Sequence, residues 1–457
     1  MSLEVAIGLV LIVAFVVTIF KRWFSPYAAL VFVPLVCGLV YCAMSGQSLL
    51  TVFDWIYDGV FYAVNEEGGV TPGTTRSALM VLFACTYFTI MMNVGLFDPL
   101  ITGTIRLVKG DPLKIVVAST LVAAAVSLDG DGTSTVLITT AAFMPLYKQF
   151  GIKGAYLALL IALPTSVFNM TPWGGPLARC LSGLNLDVSQ LFPKLLPGMA
   201  VVMVYDVFLA YMIGRKERAR LGYSPKNASS IPQEKIEAMV QAVKDNNAEL
   251  KRPKLALYNL IVTLVIMYML VTGMANSALL FMAGIAAALF VNYGFNFKTQ
   301  KDRLTEALAE GMPACSMIIA SGFFMGILNG SGMTTGIAGF LGQIVPASSS
   351  NLLPLFAAVV GIPGLIFLGP DAYYFGVLPV LATLAAEYGI SAVTMGVAGM
   401  MPLATFYATP LTAWLFILCE RCEVEFGDYQ KQFLKISFPA FLIYAVVFAL
   451  TGSLPLF

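Results

Sequence analysis

The chain contains no histidine. Imidazole-based metal sites, histidine-dependent hydrolases and the H-E-x-x-H metalloprotease helix are therefore excluded, and proton handling falls to carboxylates, lysines or tyrosines. Charge is scarce as well. Asp, Glu, Lys and Arg make up 11% of 457 residues and nearly cancel at a formal net charge of +1, so nothing points to nucleic acid or an acidic partner. There is no G-x-x-x-x-G-K-[ST] run to drive pumping with ATP, and no nucleophile-base pair built on histidine, so the chain reads as no enzyme. Its seven cysteines lie mostly inside apolar runs, as small hydrophobes. Only Cys419 and Cys422 have C-x-x-C spacing, without a second pair to complete a zinc site. The alternating segments of a membrane β-barrel are absent too.

What is present is apolar length: 59% of residues are hydrophobic and the mean hydropathy is +0.85. Runs long enough for a hydrocarbon core, about 20 helical residues, recur from one end to the other. The expectation is an all-α polytopic protein of the lipid bilayer. Full spans are predicted at 3–20, 27–44, 78–97, 195–213, 255–273, 277–293, 312–329 and 436–452. Lys21-Arg22 after the first apolar run, with no basic residue before it, predicts a retained span and not a cleaved signal. Residues 214–254 are polar, with a short surface helix expected from 234 to 250.

Four places break the apolar pattern. The first is S-L-D-G-D-G-T-S-T-V-L-I-T-T, Ser127 to Thr140, between apolar runs each too short to cross. It reads as the tip of a re-entrant hairpin over 115–146. The second, N-M-T-P-W-G-G-P from Asn169, interrupts a span at 155–182. The third is Gly369-Pro370-Asp371 inside 352–386, another pair of half-spans reached through a small-residue connector, and the fourth is Thr409-Pro410 inside 391–418. Sliding the sequence by 238 residues pairs Gly151-Ile152 with Gly389-Ile390, Pro164 with Pro402, Phe168 with Phe406, and Thr171-Pro172 with Thr409-Pro410. This register predicts an internal duplication: an N-terminal repeat 1–213, a linker 214–254 and a C-terminal repeat 255–457.

Counting basic residues along this path puts Lys21, Arg22, Arg106, Lys109, Lys114, Lys148, Lys153, the ten in 214–254 and those near 298–303 and 421–435 on one side. The other side receives Arg76, Arg179 and Lys194. The positive-inside bias makes the first side, with the linker, cytoplasmic and both termini extracytoplasmic, in a cell membrane. The count holds if each repeat crosses five times while its hairpin dips in and returns, which gives the repeats inverted topology. Many secondary transporters are built this way, with substrate held near the midplane by broken helices.

Irregular backbone at that depth is tolerated only where it is buried in protein or lines a wet cavity, and ionisable residues there are functional candidates. The candidates are Asp129, Asp131, Thr133 and Ser134 at the first hairpin tip, and Asn169, Thr171, Gly174 and Gly175 at the first broken span. Asp371 and Tyr373 stand at the second tip, Thr405 and Thr409 at the second broken span. Glycine and proline let helix ends present N-H groups to an anion, while carboxylates, hydroxyls and carbonyls suit Mg2+, Ca2+ or Na+. The set reads as a site for an anion together with a cation. Asp-Gly-Asp-Gly in a soluble protein would be a tight turn, and Tyr373 and Tyr374 could equally be packing aromatics. Arg179 reads either as a partner for a carboxylate or substrate or as an outer-edge arginine. Asp206, inside a span, reads either as a proton relay or as a lipid-edge or structural residue.

The stretches 127–135, 169–179, S-G-M at 331–333, G-P-D-A-Y-Y-F-G-V-L-P at 369–379 and G-D-Y-Q at 427–430 resemble the signatures of the citrate-metal:proton symporters, in the ion transporter superfamily. That resemblance runs from about residue 80 to 435. It implies a homodimer working by elevator-like movement, and uptake of citrate as a complex with a divalent metal, Mg or Ca, or of a related carboxylate, together with protons. Asp129, Asp131 and Asp371 would then bind the metal, directly or through the bound complex. The alternative is a sodium-coupled carrier of a di- or tricarboxylate or another anion without metal. After Thr409-Pro410 the chain reads L-T-A-W-L-F (411–416) where the family pattern has valine, proline, alanine, threonine and tyrosine, a departure that bears on substrate identity.

Overall fold

Inside a bilayer the backbone has no water to bond, so the chain must satisfy its own N-H and C=O groups, and helices do this within one segment. The computed structural model describes residues 2–21, 23–64, 69–106, 111–130, 132–223, 233–245, 248–343 and 347–455. It opens with α1 (Leu3–Phe20), α2 (Pro26–Ser45) and the short α3 (Thr51–Val60). Ser25 caps α2 through the Ala28 N-H, Pro26 fits its first turn, and Gly46 ends it in the left-handed region. A small antiparallel hairpin follows, β1 (Tyr62–Val64) and β2 (Val70–Pro72), with Ala63 opposite Thr71. This is the one addition to the all-helical expectation among the described residues.

The chain continues through α4 (Thr74–Asn93), α5 (Asp98–Arg106) and the first half-span, α6 (Pro112–Val126), capped by Asp111. A 3-10 turn, Ser127–Asp129, and Gly130 lead into the second half-span, α7 (Gly132–Phe150). The first interrupted span is α8 (Gly154–Phe168) and α9 (Gly175–Gly183). It is followed by the 33-residue α10 (Val188–Arg220), which starts on a capping box of Asp187 and Gln190. The linker carries the surface helix α11 (Gln233–Asp245), then come α12 (Ala256–Thr272) and α13 (Ser277–Tyr293).

Three elements differ from expectation. The predicted span 312–329 is the second half of α14 (Phe297–Gly330), because Lys298 to Glu310 carries no breaker and simply extends the helix toward water. The small-residue connector contains α15 (Met333–Gly342), held between α1 and the end of the second hairpin despite its glycines. The second hairpin is helical almost throughout: α16 (Leu353–Pro363), a π-helical stretch Gly364–Leu368, one turn α17 (Gly369–Asp371), another π stretch Ala372–Val377, and α18 (Leu378–Glu387). Only Gly369, at φ 84° and ψ 168°, breaks it, and the chain folds back so that the Tyr373 hydroxyl donates to the Ala357 carbonyl at 2.9 Å. The chain ends with α19 (Ala392–Met400), α20 (Leu403–Phe406), α21 (Ala413–Arg421) and α22 (Phe426–Leu450).

Seven helical stretches among the described residues are long and apolar enough to cross a membrane, and shorter apolar helices fill between them. Outward faces stay apolar, as on α12, where Leu257, Ile261, Leu264 and Tyr268 are exposed. Two packed groups emerge. In one, α14 crosses α2, α3 and α4; Gly59, Gly322 and Gly326 bring α3 and α14 so close that a Cβ on Gly59 would stand 2.2 Å from the Gly322 carbonyl oxygen. In the other, α6 packs on α7, α8 and α10, α16 on α19, and α22 on α10.

Candidate functional site

The second group holds all four chain breaks, and they meet. At the first hairpin tip the Ser127 hydroxyl donates to the Ala123 carbonyl at 2.6 Å and lies 2.9 Å from the Thr165 hydroxyl of α8. Gly130 takes φ 82°, which only glycine adopts at no steric cost. Asp129 closes the 3-10 turn; its side chain, and the whole of Asp131, lie outside the described residues. Thr133 and Ser134 stand half-buried in the first turn of α7.

The first broken span lies against that tip. Asn169 ends α8, and Thr171 donates to the Phe168 carbonyl at 2.6 Å, both buried. Trp173 reaches across, its Nε1 donating to the Leu128 carbonyl at 2.7 Å, while its ring stacks on Phe88 of α4 with centroids 3.7 Å apart. Gly174 caps α9 in a crowded turn where a Cβ would stand 2.4 Å from the Asn169 carbonyl oxygen. Gly175 likewise makes room for Arg179, whose Nη1 would lie 2.8 Å from a Cβ there.

Arg179 then spans to the other hairpin. Its Nε donates to Asp371 Oδ1 at 2.6 Å, with side chains 18% and 16% exposed. Of the two readings of Arg179, the structure takes the carboxylate partner. The second broken span closes the ring of contacts: Thr409 donates to the Ile366 carbonyl at 2.7 Å, and Leu411 packs on Gly369. It also touches the first tip. A Cβ on Gly132 would stand 2.4 Å from the indole of Trp414, which itself lies edge-on to Tyr407 at 4.7 Å. Carbonyls that this break frees from the helix are taken up by α22, where Tyr429 donates to Tyr407 at 3.1 Å and Gln430 to Ala408 at 2.7 Å.

Not every candidate points to the same place. Thr405 is spent on the Pro402 carbonyl at 2.9 Å, and Tyr373 and Tyr374, both wholly buried, bond the Ala357 and Gly399 carbonyls. Asp206 has no exposed surface, so its lipid-edge reading is overturned. No group of three or more acidic or cysteine side chains stands together among the described residues. The residues missed from sequence are Trp173, Trp414, Tyr429 and Gln430. The signal for the first two was rarity, since the chain has four tryptophans and two fall at breaks.

The citrate transporter family model, CitMHS, matches residues 7–409. The chain belongs to the CitMHS family. It is 36% identical over 448 residues to a citrate transporter of Bacillus subtilis strain 168, and 33% identical over 452 residues to a Mg(2+)/citrate complex secondary transporter of the same organism; both alignments cover 98% of each chain. The uncharacterized transporter YraO of that organism is 34% identical at the same coverage. Among solved structures, the YdaH transporter of Alcanivorax borkumensis superposes with a TM-score of 0.54 over 93% of this chain and 99% of its own, at 14% identity, a likeness of fold alone. This CitMHS member is thus a multi-pass membrane transporter and not an enzyme.

Proposed function

We propose that the protein takes up citrate, as its complex with Mg2+ or Ca2+, together with protons, at the place where the two hairpin tips and two broken helices meet. The observation that carries this is the half-buried Arg179–Asp371 pair, a cation and a carboxylate joining the first broken helix to the second hairpin. The relatives named for citrate and for its magnesium complex support the substrate. A divalent ion leaves the citrate trianion with one net negative charge, which lowers the cost of holding it at membrane depth. Asp129, Asp131 and Asp371 would face the metal of the complex, while the positive N-terminal ends of α7 and α9 would favour its carboxylates. Thr133, Ser134, Asn169, Thr171, Gly174, Gly175 and Thr409 line the same junction.

In this reading the chain is two inverted repeats of five crossings, 1–213 and 255–457, around the cytoplasmic linker 214–254, with both termini extracytoplasmic. The group containing the breaks moves as an elevator against the group built on α14, in a homodimer. Proteoliposomes loaded without metal test it. Labelled citrate should accumulate when Mg2+ or Ca2+ is present and a pH gradient is imposed, and should not need sodium. Uptake that requires sodium and ignores divalent metal would instead establish the sodium-coupled carrier of free carboxylate.

A further inference from the structure

Eight buried side-chain oxygens find no protein hydrogen-bond partner among the described residues, and four of them belong to three residues of α10 and α22: both carboxylate oxygens of Asp206, the Ser437 hydroxyl and the Tyr444 hydroxyl. All three side chains are wholly buried. Asp206 lies on the stripe of α10 that runs Gly198, Val202, Asp206, Ala210; Ser437 and Tyr444 lie on the stripe of α22 that runs Phe433, Ser437, Phe441, Tyr444. The two helices pack together, and two contacts set their register. The Tyr205 hydroxyl donates to the Ile436 carbonyl at 2.8 Å, and Gly198 admits the rings of Tyr444 and Phe448. This places Asp206 beside the Ser437 turn, with Tyr444 within electrostatic reach.

We propose that Asp206, Ser437 and Tyr444 form a site for one monovalent cation, the coupling proton, separate from the substrate junction and used to couple its movement to an ion gradient; a sodium ion bound there instead would go with the sodium-coupled alternative. The coupling role rests on the transporter reading above; the ion site does not. A carboxylate at this depth is costly without a partner, and no N-H or O-H from the described protein relieves it. The donors are all oxygen, which suits a hard cation. A single carboxylate balances one positive charge, whereas a divalent ion needs six or more oxygens and usually several acids. The phenols of Tyr205 and Tyr444 are the titratable groups in reach of Asp206; α6, α8, α12 and α19, also packed on α10, bring no charged side chain to it among the described residues.

Two measurements on purified full-length protein test this. Without substrate, the melting temperature of the wild type should rise with falling pH or with added sodium, whichever is the bound ion, and that response should vanish in Asp206→Asn. In proteoliposomes, Asp206→Asn should exchange labelled citrate with Mg2+ at equilibrium within about twofold of wild type, yet fail to accumulate it under the pH or sodium gradient that drives the wild type. An unchanged ion response or unchanged accumulation in Asp206→Asn overturns the site. If Asp206→Asn does not reach the membrane, Ser437→Ala/Tyr444→Phe carries the same test, with a tenfold or greater rise in the ion concentration for half-maximal response expected and no change overturning it. Should the ion response hold while wild type exchanges no citrate, the substrate reading falls and the ion site stands.

Discussion

A single pair, Arg179 and Asp371, ties together parts of the chain 192 residues apart, and the two groups explain each other. Asp371 at a hairpin tip needs a positive partner among apolar helices; Arg179, a cation with 18% of its side chain exposed, needs a reason to be buried. Removing either leaves the other unpaired, and a hydrogen bond to a charged group is worth about 2 kcal/mol. Asp371→Asn should therefore raise the citrate concentration for half-maximal uptake roughly 30-fold if the pair holds the site in shape. The double variant Arg179→Ala/Asp371→Ala should cost less than the sum of the two single changes, since each removes the other's unpaired charge. Additive effects would mean that the two side chains act independently. The tryptophans make the same point about shape: Trp414 on Gly132 leaves no room for a methyl, so Gly132→Ala should abolish uptake, and Gly132→Ala/Trp414→Phe should restore part of it.

At the scale of elements, the breaks were legible because glycine, proline and aspartate stand out inside apolar runs, and the structure puts all four in one group of helices. What touches them was not legible. Trp173 bonds a carbonyl 45 residues away and Gln430 one 22 residues away, and no local pattern marks such a partner. The second hairpin also hid its form. The turn at Gly369 is legible from Gly369-Pro370-Asp371, but the π-helical stretches on either side are not, because apolar periodicity does not separate α from π. Insertions of this kind recur at functional sites. Gly369, with positive φ and extended ψ, sits in a region nearly closed to other residues, and strain of this sort costs of order 1–3 kcal/mol. Since only Leu411 lies near a Cβ there, at 3.6 Å, Gly369→Ala should destabilise through backbone strain and not through collision. A lowered melting temperature in detergent would bear this out; an unchanged one would show that the turn can relax.

Across the whole molecule, the same succession of parts occurs twice: hairpin, broken span, long helix, as α6–α7, α8–α9, α10 and again as α16–α18, α19–α21, α22. What the sequence adds is direction. In the proposed topology basic residues gather on one side of the path only if each half crosses an odd number of times, which would turn one hairpin inward and the other outward. Ser48, before α3, and Ala248, after α11, are both exposed and fall on opposite sides in this account. In a background with the seven native cysteines replaced, Ser48→Cys should react with an impermeant thiol reagent from outside right-side-out vesicles, and Ala248→Cys only after permeabilisation. Labelling of both from the same side would break the odd crossing count, and with it the argument that two oppositely directed hairpins can bracket one solute. Labelling in the reverse pattern would keep the inverted repeats and turn the whole transporter over in the membrane, which the charge asymmetry argues against.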